Sequence, residues 1–114
     1  MCDFRYAKLV YKYKLGLLYD EKIRFSELDK EGYEIRVVNI YFDNSYGYSY
    51  ENKEYNNTGL SDYPFPTVYE FYNSGEYDLD EADCYEITKE KFEVEFKKAI
   101  EYCKEHNIKP YLLL

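Results

Sequence analysis

Residues 33–42 read Tyr33-Glu34-Ile35-Arg36-Val37-Val38-Asn39-Ile40-Tyr41-Phe42. The first half alternates, with Glu34 and Arg36 set against Tyr33, Ile35 and Val37, which is the period of a strand with one wet face. From Val37 to Phe42 the chain is nearly unbroken β-branched and aromatic sequence. Such a run fits a central strand covered on both faces. Asn39 within it then needs internal hydrogen-bond partners. A central strand also needs neighbours on both edges, and the flanking sequence offers them.

Upstream, Ala7, Leu9, Tyr11, Tyr13 and Leu15 alternate with Lys8, Lys12 and Lys14, with Val10 the exception, predicting a half-buried strand over 6–15. Gly16 can bend it, 17–19 continue it, Asp20-Glu21-Lys22 turn it, and 23–25 form a short return. Ser26 has the chemistry of an N-cap, with Glu27 and Asp29 in a first turn and Gly32 as a left-handed terminator. Those signals predict one or two helical turns over 27–31.

Downstream, Asp43-Asn44-Ser45 is turn chemistry. Tyr46, Tyr48 and Tyr50 recur at period two, so 46–55 reads as a hairpin arm, followed by a loop over 56–66 with Gly59, Pro64 and Pro66. Residues 68–72 suit a strand, although Thr67 and Glu70 stand at capping-box spacing and a short helix competes. Short strands are expected at 76–79 and 84–87 around an acidic bend. Thr88 caps the clearest helix, whose stripe is Phe92, Phe96, Ala99, Ile100 and Cys103. Pro110 stops it, and 111–114 return to the core or to a sheet edge. The expectation is one 114-residue α+β domain: an antiparallel sheet of four or five strands with the C-terminal amphipathic helix packed on one face.

The formal charge is −8, and it is segregated. Residues 1–40 carry eight bases and seven acids, and residues 86–114 carry six of each. Residues 41–85 carry ten acids, one base (Lys53) and ten of the seventeen tyrosines. An acidic surface disfavours nucleic acid and anionic membrane as direct ligands and favours a basic partner. Three scattered cysteines with no CxxC spacing, and no apolar leader or spanning run, fit a reducing cytoplasmic setting.

No catalytic constellation emerges. Cys103 belongs to the apolar stripe and His106, the sole histidine, to the polar last turn, which argues against a cysteine–histidine pair. One histidine gives no zinc-type spacing. Asp78, Asp80, Glu81 and Asp83 are hard oxygen donors, but Ala82 breaks the alternation an EF-hand loop requires. A solvated acidic bend is expected, with an irregular calcium site as the alternative. The five glycines stand too far apart for a phosphate-cradling loop. No metal and no cofactor are therefore expected.

What remains is the tyrosine field among Ser, Asn and Gly, the composition of antibody paratopes. Tyrosines of 68–72 and Tyr85 are assigned to the core, and those of 46–55 with Tyr63 to the surface. The expected partner-binding set is Tyr46, Tyr48, Tyr50, Glu51, Glu54, Tyr55 and Tyr63, with Glu76, Asp78, Asp80, Glu81 and Asp83. Carboxylates would find a basic, nucleic-acid-binding protein and tyrosines would hold it. Anti-CRISPR proteins and immunity proteins of nuclease toxins resemble the chain in size and composition only, and no motif extends the likeness. The expected function is inhibition of a nuclease or CRISPR-type effector. A tyrosine-walled carbohydrate or small-molecule site between the sheet and 56–66, or a self-associating module, are the alternatives.

Overall fold

The computed structural model describes residues 4–11, 21–60 and 82–112. Their elements are β1 (Arg5–Tyr11), β2 (Glu21–Leu28), β3 (Glu34–Tyr41), β4 (Tyr46–Tyr50), β5 (Lys53–Tyr55), β6 (Ala82–Ile87), α1 (Lys89–Glu105) and β7 (Tyr111–Leu112). The strands form one antiparallel sheet in the order β6-β1-β2-β3-β4-β5-β7. The architecture is α+β, with seven strands rather than four or five. The undercount has two sources. The 46–55 arm folds back on itself at Glu51-Asn52, and 111–112 pair with β5 as a further edge strand. The strand expected over 6–15 is described as far as Tyr11, and the expectations for 12–20 and 61–81 lie outside the described residues.

β3 sits at the middle of the sheet, and Val37, Val38 and Asn39 have essentially no exposure. Both of its faces are covered, as its continuous apolar half predicts. One cover is α1. Phe92, Ala99 and Cys103 on the helix pack with Tyr6, Phe25, Val38 and Tyr48 on the sheet. The other face buries Ala7, Leu9, Leu28, Val37 and Tyr41. Removing a side chain such as Phe92 or Val38 from water contributes about 1.5–3 kcal/mol.

The helix starts as its sequence predicts, with Thr88 Oγ1 accepting from Lys91 N at 3.1 Å. It ends at His106, beyond which Asn107 adopts φ 55° and Ile108 N donates to Cys103 O at 2.9 Å. A left-handed residue just past the end is a standard way to satisfy the last carbonyls.

The helical turns expected over 27–31 are not formed. β2 runs to Leu28, and Asp29 instead closes the β2–β3 hairpin. Its Oδ1 accepts from Glu31 N at 2.8 Å and Tyr33 N at 3.0 Å, and Gly32 takes φ 92°. The same residues that suit a cap also suit such a turn. Cross-strand side-chain bonds decide between them. Ser26 and Glu27 each bond a β3 partner, which a helix would not offer.

The β2–β3 pair carries two bulges, with Lys22 the extra residue at one end and Ile35 at the other. Each bulge reverses the face of what lies beyond it. Glu34 and Arg36, expected on one face, therefore lie on opposite faces. Glu34 bonds Arg24, while Arg36 bonds Glu27 beneath α1.

Candidate functional site

On the face away from α1, Arg24 is the centre of a buried polar cluster. Its Nη2 donates to Glu34 Oε1 at 2.8 Å and its Nε to Glu34 Oε2 at 3.2 Å. Nη1 reaches Glu21 and Asn39, and Nη2 also donates to the Gly59 carbonyl at 2.8 Å. Burial works against the charged guanidinium, but the charge and hydrogen bonds of Glu34, with Glu21 behind them, outweigh it, so its pKa lies above the ordinary value. Asn39 thus finds the partners its burial requires. Nearby, the Tyr41 hydroxyl lies 2.9 Å from Thr58 Oγ1 and 3.0 Å from the carbonyls of Asn56 and Asn57. The cluster ties 56–59 to the centre of the sheet. Its groups satisfy one another, so it acts as a clamp.

On the α1 face, Tyr48 and Tyr55 stack at 4.1 Å between centroids, and Tyr50 runs parallel at 6.1 Å from Tyr48. Phe96 meets Tyr48 and Tyr50 edge-on at 5.4 and 6.2 Å. Tyr46 packs on Tyr102 at 5.7 Å. The tyrosines of 46–55 therefore form a layer under the helix, and Tyr48 is only 5% exposed. Tyr85, assigned to the core from sequence, is 52% exposed. The two expectations are reversed by position in the sheet. Strand parity directs Tyr46, Tyr48, Tyr50 and Tyr55 toward α1, whereas Tyr85 shares that face on the edge strand β6. Burial pushes the Tyr48 hydroxyl's pKa up, helped by its contact with Tyr55.

Where the tyrosine layer meets the start of α1, a cleft of about 350 Å³ opens. Phe4, Tyr6, Ile35 and Tyr50 supply its apolar walls. Its charged lining is Glu27, Arg36, Glu93, Glu51 and Lys89. Arg36 holds Glu27 at two points, both 2.8 Å, and bonds Glu93 as well. Its guanidinium lies 5.0 Å from the Phe92 ring centroid and 4.6 Å from that of Phe96. Tyr6 Oη donates to Glu27 at 2.9 Å. Burial raises the Glu27 pKa, but the hydrogen bonds from Arg36 and Tyr6 more than reverse that, so it lies below its ordinary value.

Of the sequence-selected residues, the structure brings Tyr50 and Glu51 to the cleft and Tyr48 and Tyr55 to the layer behind it. Glu54 points to the other face, where its carboxylate lies against Gly59. Asp83 is on β6, opposite Val10. Tyr63, Glu76, Asp78, Asp80 and Glu81 lie outside the described residues. Sequence reasoning passed over Tyr6, Glu27, Arg36 and Glu93. The one available signal was Arg36 itself, an arginine beside the most apolar run in the chain.

A second cavity, about 290 Å³, is lined by Tyr48, Tyr55, Cys103 and Lys104 among others. Burial pushes the Cys103 thiol up to about 11, so it is protonated and a poor nucleophile at neutral pH. His106 stacks on Tyr102 at 3.9 Å on the exposed last turn. Among the described residues no helix is long and apolar enough to cross a membrane.

No curated protein and no solved structure matches the chain. Residues 19–101 match the family model described as "Domain of unknown function (DUF6881)", a span that covers β2 to β6 and most of α1. The chain belongs to the DUF6881 family.

Proposed function

We propose that this protein inhibits a nuclease or CRISPR-type effector by docking an acidic, tyrosine-bearing surface on its basic nucleic-acid-binding site. The observation that carries the reading is how residues 61–81 are flanked. On one side, Arg24 and Tyr41 hold the backbone of Asn56, Asn57 and Gly59. On the other, β6 pairs with β1 along its whole length. Between these fixed points the sequence carries six acids and no base. Carboxylates tethered to a rigid sheet raise the encounter rate with a cationic surface and reject anionic ones. Exposed Tyr85 and half-buried Asp83 stand on the strand that follows. The proposal includes a cytoplasmic site of action, which the unpaired number of cysteines supports.

The test is capture of the enzyme from cells that encode the protein, followed by its cleavage assay. Equimolar protein should abolish cleavage, and a variant with Asp78, Asp80 and Asp83 changed to lysine should not. Captured proteins with no affinity for nucleic acid, or cleavage untouched at saturation, would remove the reading.

The cleft favours a second reading, a small-ligand domain. The sequence places such a site between the sheet and 56–66, of which 61–66 lie outside the described residues; among the described residues, a cleft that gathers carboxylates and tyrosines lies between β1, β2, β3, the β4–β5 turn and α1.

A further inference from the structure

We propose that the cleft beside Arg36 is a binding site for a guanidinium side chain, an arginine presented by a basic peptide or protein. The inference rests on the reading of a basic partner for the owner of that arginine, but every residue it uses lies outside 61–81. The cleft's volume, about 350 Å³, is at the lower end of ligand-pocket sizes and suits one long side chain. Its walls include the ring of Tyr50, which already draws the Lys53 ammonium to 5.2 Å from its centroid, and aromatic faces attract desolvated cations.

Charge selects the sign. Among the described residues that line the cleft, Glu27, Glu51 and Glu93 stand against two cations, Arg36 and Lys89. Arg36 is already engaged by Glu27 and Glu93, while Glu51 has no partner among the described residues. The molecule also contains its own template for the interaction. Arg36 is held by two carboxylates while its guanidinium lies over two phenylalanine rings. An incoming guanidinium would meet the same kinds of group in Glu51 and Tyr50.

Glu51 adds a separate observation. It sits in the two-residue turn between β4 and β5 with φ 53°. The four other non-glycine residues with positive φ among the described residues are all asparagine, which tolerates that region. A glutamate there strains the backbone, and such strain is often kept where the side chain has a task.

The experiment is an amide-resolved NMR titration of the full chain with N-acetyl-arginine methylamide. The neutral citrulline analogue and N-acetyl-glutamate methylamide are run beside it. Saturable shifts at Tyr6, Tyr50 and Glu51 with Kd on the order of 1 mM are expected. The citrulline analogue should bind at least about 10-fold more weakly. Glu51→Asn, which relaxes the turn, should fold at least as stably and bind arginine about 5- to 10-fold more weakly. Equal binding of citrulline, preference for the glutamate analogue, unsaturated shifts at about 50 mM, or full affinity in Glu51→Asn would each overturn the site. Arginine binding by a protein that captures no basic enzyme supports the cleft and removes the proposed function. Capture of such an enzyme by a protein whose cleft ignores arginine removes the cleft alone.

Discussion

Arg24 and Glu34 meet at two points, 2.8 and 3.2 Å, only because a bulge at Ile35 turns Glu34 to the face that Arg36 does not use. The second bulge, at Lys22, brings Glu21 to the same face. Without the two bulges, strand parity would turn both Glu34 and Glu21 away from Arg24. The Glu34 side chain is 1% exposed, so its charge depends on Arg24.

Arg24→Ala should therefore cost about 3–5 kcal/mol, because it removes the guanidinium that neutralises the buried Glu34 carboxylate. Replacing both Arg24 and Glu34 by methionine should recover most of that loss. Urea unfolding of the two variants checks this. Equal destabilisation by the single and the double change would contradict a coupled pair.

Stability should fall on acidification below pH 4.5, the ordinary value for Glu27. The folded pKa of Glu27 lies lower, so the folded state binds this proton less readily than the unfolded chain does. The stabilisation is present above pH 4.5 and is lost as pH falls through the folded value. Glu86, lowered by its hydrogen bond from Arg5, acts in the same direction. Glu27→Gln should be less stable at neutral pH and should show a flatter acid limb in denaturant titrations. An unchanged slope would mean that Glu27 is not the linked group.

Tyr48→Ala should cost about 3–5 kcal/mol, as loss of a buried aromatic ring does. Tyr85→Ala should change stability by no more than about 0.5 kcal/mol. Thermal melts of the two variants separate a core tyrosine from a surface one. Similar shifts would contradict the layer beneath α1.

The Cys103 thiol, pushed up to about 11 by burial, should resist iodoacetamide at pH 8 in the folded protein and react on unfolding. Peptide mapping after a timed pulse reads this directly. Rapid native labelling at Cys103 would contradict its packing under β4.

Much of the fold is legible from periodicity. The Val37–Phe42 run, broken only by Asn39, marks the central strand, and the Phe92–Cys103 stripe with Thr88 marks the helix and its start. Local chemistry misled at Ser26–Gly32, where cap and turn signals coincide and only the cross-strand partners of Ser26 and Glu27 decide. The cleft was not legible because it depends on parity. A single extra residue at Ile35 separates Glu34 from Arg36, and sequence shows no difference between a bulged strand and a regular one. Tyrosine composition misled for the related reason that a tyrosine-rich hairpin reads alike whether its rings face solvent or a helix. Segregated acidity, by contrast, is visible in the sequence alone.

The most direct measurement is the association rate constant with the captured enzyme as salt is raised from about 0.02 to about 0.5 M. The account predicts a fall of at least about 10-fold, with the dissociation rate changing far less and the fall largely absent when Asp78, Asp80 and Asp83 are lysine. An association rate flat across that range would contradict recognition through the acidic segment.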